Sequence, residues 1–353
     1  MGQTSSNAVL SKARALYGQR LRFEDWMALL DCSSVNDIAA YLKAHTAYRS
    51  VLVSIDEFHI HRGQLEACLR ERLFSESTKL ARYDLNLGEH VSAYLLQKLE
   101  IQIILRCITR LNSGQMEDPF FLIPESAAHQ TEIDEKALHT LSSYDQLLHA
   151  LSHTRYEKIL LAFAPKSTEE QVDYTGIESA LWIDLFQRLY QVIYKETKGQ
   201  TREELLRIFD DYIDLNNYSR IIRLKRTYHA DPDQIKSLLL PFGSLKKETL
   251  DRMAAAESEK EAAEIMQTTR VGKRTLSTPH KDPDDLIFYI EYHDCRKKIR
   301  FSPNPSVVLF SYVFLLQSEL HDLTTLIEGV RYQLQKAEIQ NLLNPERFSG
   351  RSS

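Results

Sequence analysis

Asp214-Leu215-Asn216-Asn217-Tyr218-Ser219-Arg220-Ile221-Ile222-Arg223-Leu224-Lys225 sets an acid, a branched apolar residue and, six residues on, an arginine inside one long amphipathic segment. The acid and its branched neighbour recur at Glu100-Ile101 and Glu319-Leu320, with Arg106 six residues after the first and Thr325 at that step after the last. Two further signals precede each pair in a fixed order. The first is a helix start, Ser-x-x-Asp/Glu, in which a hydroxyl caps backbone N–H groups and the acid reaches back. It occurs at Ser34 and Asp37, Ser142 and Asp145, and Ser258 and Glu261. A threonine two residues ahead of a large apolar side chain follows each time: Thr46 and Tyr48, Thr154 and Tyr156, Thr269 and Val271. The second signal is an apolar residue followed by glutamate, at Leu65-Glu66, Ile177-Glu178 and Ile290-Glu291, the glutamates 112 and 113 residues apart. A capping box alone is common; three signals in one order at a steady period mark an internal repeat.

Working outward, Asn112-Ser113-Gly114 with Pro119, and His229-Ala230-Asp231-Pro232, are the breaks between copies. The expected division is three helical repeats, 1–115, 116–235 and 236–353. Val308, Tyr312, Leu316, Leu320, Leu323, Ile327, Val330 and Leu334 step by three or four along one face, as do Val91, Leu95, Leu99, Ile103, Cys107 and Leu111. Such long amphipathic helices need neighbouring repeats to cover them. Only 11 Gly and 10 Pro serve 353 residues, few for a fold of many tight turns. The expected class is all-α. Pro241-Phe242-Gly243 reads as a turn before a helix from about Lys246. Residues 167–170 and 280–285 read as loops and 345–353 as a frayed tail.

Hydrophobic residues at 43% and charged residues at 26% describe a well-cored chain. A net charge of −5 without a basic stripe argues against nucleic acid and against direct attraction to anionic lipid. The longest apolar stretch, residues 307–316, is half of the roughly 20 residues that cross a bilayer, so no span is expected. Cys32, Cys68, Cys107 and Cys295 lack CxxC spacing and imply no disulfide framework.

No pattern carries recognisable catalytic chemistry. Glu100 and Arg106, like Asp214 and Arg220, stand six residues apart, about 600° of helix rotation, and do not share a face. Pairing with neighbouring repeats, or lining a hub between them, suits these charges better than a catalytic dyad. His59 and His61 have no carboxylate or cysteine pattern to complete a metal site, and His293-Asp294-Cys295 would diverge on a helix. Gly272-Lys273-Arg274-Thr275 looks like the end of a phosphate loop, but position 267 is Gln where glycine is needed. A helix-terminal loop is expected there. Trp26 and Trp182 read as core or interface anchors. Neither cofactor nor metal is expected.

The segment 214–225, with Leu239-Leu240-Pro241-Phe242-Gly243-Ser244-Leu245, resembles the C subunit of the prokaryotic V/A-type ATPases, the counterpart of the d subunit in the eukaryotic V-ATPase. Tyr94-Leu95-Leu96-Gln97-Lys98-Leu99-Glu100-Ile101, Ala13-Arg14-Ala15-Leu16 and residues 319–329 extend the likeness over nearly the whole chain. Val271, where the family has an aromatic residue, and Val330 after Gly329, where it often has lysine, depart from the pattern. The resemblance implies three similar helical lobes in pseudo-threefold arrangement, forming a funnel. It further implies a non-catalytic rotor adapter that seats on the membrane rotor ring of proteolipid subunits and receives the D and F subunits of the central shaft. Such an adapter would be cytoplasmic and peripheral to the membrane through that ring. The residues singled out for structural or interface roles are Glu100, Arg106, Asp214, Arg220 and Glu319. An unrelated cytosolic helical-repeat scaffold, or an all-helical enzyme with a site between lobes, are the competing readings.

Overall fold

In a computed structural model that describes residues 2–114, 123–167, 171–275 and 283–348, every regular element is helical, and the all-α class holds. In chain order these are α1 (Gly2–Gly18), α2 (Phe23–Leu30), α3 (Val35–His45), α4 (Arg49–Leu52), α5 (Arg62–Ala81), α6 (Gly88–Ser113), α7 (Glu135–His139), α8 (Tyr144–Ala150) and α9 (Glu157–Ala162). Then come α10 (Tyr174–Glu196), α11 (Gly199–Tyr228), α12 (Pro232–Ser237), α13 (Lys247–Ala255), α14 (Glu259–Gln267), α15 (Arg270–Thr275), α16 (Pro283–Phe301), α17 (Pro305–Arg331) and α18 (Lys336–Leu342), before a 3-10 turn at Pro345–Phe348.

Serine starts α3, α8 and α14, each hydroxyl accepting from the N–H three residues on. In the middle copy the cap is Ser143 with Gln146, one residue later than Ser142 and Asp145. The side chain three residues after each cap also bonds one residue further back than a standard box: Asp37, Gln146 and Glu261 accept from the N–H of Ser33, Ser142 and Glu257. The serine pair at 142–143 offers two equivalent hydroxyls, and only the register of the following apolar residues, Tyr144 and Leu147 facing inward, selects between them.

Other boundaries differ from expectation. Helix α17 stops at Arg331, because Gln333 adopts a left-handed φ of 57° and Leu334 N–H turns back to the Gly329 carbonyl; Leu334 lies outside the helix. The segment Gly272–Thr275 belongs to α15 rather than to a loop. Glycine is required there, since a Cβ on residue 272 would stand 1.9 Å from the Met266 carbonyl oxygen. Pro283 begins α16 and so shortens the expected 280–285 loop. Residues 345–348 are folded, with the Arg347 guanidinium buried on Asp322. The expected border near 116 lies outside the described residues, as do 168–170 of the 167–170 loop, while residue 235 falls inside α12.

The chain forms two compact units. The first comprises Met1–Leu95, Phe120–Gln130 and Tyr292–Ser353. Its core gathers Trp26, Leu29, Ile38, Leu42 and Tyr48 from the N-terminal helices with Leu323, Leu326 and Ile327 of α17 and Ile339 of α18. Helix α17 is apolar on nearly every side, the pattern of a central helix rather than a surface one, and α1, α5 and α3 pack on it. The second unit comprises Leu96–Pro119 and Thr131–Glu291. One of its cores joins Leu215, Ile221 and Ile222 of α11 to Met253, Met266, Val271 and Ile290.

Replacing Leu326 by Ala deletes a side chain on which the N-terminal helices pack, so a loss of about 2–5 kcal/mol is expected. Leu342→Ala, at a position 53% exposed, should stay within about 0.5 kcal/mol. Urea unfolding followed by tryptophan fluorescence checks both, because Trp26 lies in the same core as Leu326.

Candidate functional site

Each of the three repeated acids is buried on a long helix and grips the chain where it enters a group of short helices. In the first unit Glu319 of α17 accepts from the Leu21 N–H at 3.0 Å and from the Tyr48 hydroxyl at 3.0 Å. Leu21 immediately precedes Arg22, the residue that caps α2. In the second unit Glu100 of α6 accepts from the Thr131 hydroxyl at 2.7 Å, the Glu132 N–H at 2.9 Å and the Tyr156 hydroxyl at 2.6 Å, two residues ahead of the α7 cap Asp134. Asp214 of α11 accepts from the Ser244 N–H at 3.0 Å, the Ser244 hydroxyl at 2.6 Å and the Leu245 N–H at 3.1 Å, just ahead of the α13 cap Lys246.

Threonine does the same local task each time. The hydroxyls of Thr46 and Thr154 bond the N–H groups of Tyr48 and Tyr156, and Thr269 bonds that of Gly272. Tyr48 and Tyr156 thereby begin α4 and α9 with their hydroxyls turned to the acid. Val271 cannot supply a hydroxyl, and the acid that grips the chain ahead of it, Asp214, is the shorter aspartate, whose oxygens Ser244 and Leu245 occupy. Gly243, at a φ of 102°, brings the chain so close that a Cβ would stand 2.2 Å from Asp214 Oδ1. Burial pushes the Asp214 carboxyl up to about 6, against the downward pull of the Ser244 and Leu245 hydrogen bonds. Burial, then the adjoining carboxylates, raise the Tyr48 and Tyr156 hydroxyls and keep them protonated as donors.

The arginines divide. Arg220 is buried, donates to the Leu238 carbonyl at 2.6 Å and pairs with Glu178 at 3.3 Å. Arg106 lies exposed on α6, while Arg110 of the same helix reaches the following segment and donates to the carbonyls of Leu138, His139 and Leu141. Ten residues rather than six separate it from its acid, so a search at fixed spacing passes over it. Such a search also misses Arg72: buried beneath Glu319, it is held by Glu76 at 3.0 Å and stacks on the Tyr48 ring at 4.1 Å.

The repeated glutamates meet unequal partners. Glu66 takes Arg62 at 2.7 Å, and Glu178 takes Arg220 and Arg223. Glu291 is buried with Oε1 lacking a hydrogen-bond partner. Burial pushes its carboxyl up to about 7, opposed only by the charge of Lys98. Glu178 thus meets the arginine six residues after the acid of its own copy, Arg220, whereas Glu66 is met from within its own helix.

The oxygens of Glu100, Asp214 and Glu319 are thus occupied by donors from within the chain. Among the described residues no group of three or more His, Cys, Asp or Glu is placed to hold a metal ion, and no helix is long and apolar enough to cross a membrane. His59 pairs with Asp56 at 2.7 Å on the surface, His61 caps α5, and His293 lies 3.4 Å from Asp294.

The family model for the ATP synthase (C/AC39) subunit matches residues 9–342. The C subunit of the A-type ATP synthase of Pyrococcus furiosus is 23% identical over 219 residues, covering 59% of this chain and 56% of that protein. The match thus spans little more than half of that relative. The C subunit of the A-type ATP synthase of Pyrococcus horikoshii is 21% identical over 345 residues, 94% of this chain and 88% of the other.

Two outcomes follow from the clamps and the unequal glutamates. Tyr156→Phe removes one donor from a buried carboxylate and keeps the ring, so roughly 1.5–3 kcal/mol should be lost. Thr131→Val on the same carboxylate should combine with it non-additively in a urea double-mutant cycle. Because the Glu291 carboxyl is raised in the folded chain, that chain holds the extra proton between the ordinary value and about 7, and stability falls as pH rises through this window. Relative to wild type, Glu291→Gln should therefore gain roughly 3 kcal/mol between about pH 4.5 and about pH 8; a flat difference across that range would contradict it.

Proposed function

The chain belongs to the ATP synthase (C/AC39) subunit family, and from that premise we propose that it is the non-catalytic rotor adapter of a V/A-type ATPase. In this reading it links the membrane ring of proteolipid subunits to the D and F subunits of the central shaft and carries torque between them. The observation that supports it most is the thrice-repeated clamp of a buried acid on the entry to a group of short helices. An adapter that yields under load wastes the work of ion movement, about 2.3 kcal/mol per charge per 100 mV. A charge-assisted hydrogen bond contributes about 1.5–3 kcal/mol, and each acid has at least two donors. Packed interiors add to the stiffness because they hardly compress.

The proposal extends to organisation. Three repeats, 1–115, 116–235 and 236–353, form a funnel about a pseudo-threefold axis. Glu100, Asp214, Glu319 and Arg220 serve its internal bracing, and exposed Arg106 serves a partner contact. Polar residues at exposed helix ends take the shaft, and loops at the opposite end meet the ring. The protein sits at the cytoplasmic face, peripheral to the membrane through the ring.

Co-purification of the full chain with recombinant shaft subunits, and separately with the detergent-solubilised ring, tests this. Retention of both is expected, with no nucleotide hydrolysis by the chain itself. Retention of neither would overturn the adapter reading and leave a helical-repeat scaffold of another task as the better account.

A further inference from the structure

A narrow cleft in the first unit is lined by Tyr17, Arg20, Arg72, Tyr312, Glu319 and Arg347, with leucines between them. Two polar atoms on its wall are buried without a hydrogen-bond partner, Tyr17 Oη and Arg72 Nη1. Arg72 is 1% exposed and Tyr17 8%. Arg72 Nη1 stands 3.5 Å from Glu319 Oε1, an ion pair that lacks hydrogen-bond geometry. Donors left unmet at such depth are costly, so a ligand that satisfies both has a ready source of binding free energy.

The three acid clamps show what is missing. The residue just ahead of the last gripping N–H is Thr131 at Glu100 and Ser244 at Asp214, and each gives its hydroxyl to the acid. At Glu319 that residue is Arg20, ahead of Leu21, and arginine has no hydroxyl. The cleft opens beside this position, with the Arg20 guanidinium lying 4.5 Å over the Tyr17 ring.

We propose that the cleft is a binding site for one ordered water. It accepts from Arg72 Nη1, exchanges a hydrogen bond with Tyr17 Oη and donates to Glu319, standing in for the hydroxyl of the other two clamps. Size favours water: the space open to the centre of a water-sized sphere is about 10 Å³, the room of one water and too little for phosphate. Charge favours a neutral occupant. Arg72 answers to Glu76 and Glu319, Arg347 to Asp322 at 2.8 Å, and an added anion would face the Glu319 carboxylate. Burial raises Tyr17 to about 12, so its hydroxyl remains a donor near neutral pH. The water would join α1, α5 and α17, tying the N-terminal helix into the clamp.

Crystals of the full chain diffracting beyond about 1.8 Å, native and soaked in bromide, decide the matter. One density peak within hydrogen-bond reach of Tyr17 Oη, Arg72 Nη1 and Glu319, with no bromide anomalous signal, is expected. An anomalous peak there would make the occupant an anion, and empty density would remove the site; either overturns the proposal. In Arg20→Thr the introduced hydroxyl should displace the water, and a water persisting beside it would refute the equivalence with Thr131 and Ser244. If that variant does not fold, Tyr17→Phe, which keeps the ring, should show the water weakened or absent, and unchanged density would count against Tyr17 as a ligand.

Discussion

A carboxylate deep inside a protein must be answered by donors, and that obligation organises this chain. Glu100, Asp214 and Glu319 are buried on long helices, where an unanswered charge would be untenable. Each takes backbone N–H groups shortly before a short helix begins. The acid thus sets where the incoming stretch of chain turns, and the serine caps and threonine hydroxyls that follow set how the next helices run. Packing then closes around a geometry that hydrogen bonds have already specified.

Much of this was legible in the residues. The caps at Ser34 and Ser258, the three acids, and the tyrosines at 48 and 156 all stand out because each uses a short-range rule that the local sequence satisfies. What joins them was not legible. Tyr48 lies 271 residues from Glu319, and Leu21 lies 298 residues away; no periodicity spans such distances. Arg110 escaped because it sits a full turn beyond Arg106, and Arg72 because an arginine among the many charges of α5 carries no local sign of burial. Ser142 and Ser143 are chemically alike, so the correct cap depends on which apolar residues face inward.

The copies have diverged where one replacement makes another necessary. Valine in place of tyrosine at 271 accompanies aspartate in place of glutamate at 214, with Ser244 reaching both oxygens. Glu291 stands apart from Glu66 and Glu178, its burial disfavouring the ionised form. The grip of a buried acid on incoming N–H groups is kept at all three sites even where the residues around it differ.

The first unit is assembled from the two extremes of the chain, with α17 supplying the inner face on which Trp26, Leu42 and Tyr48 rest. During synthesis the opening segment leaves the ribosome long before Pro305 is made, so its core, though it already has Leu65 and Leu69 of α5, stays open on one side until α17 follows. The second unit, whose pieces lie between residues 96 and 291, faces no such wait. A message broken before α17 is encoded would consequently yield a chain with a finished middle and an unfinished beginning, open to proteases.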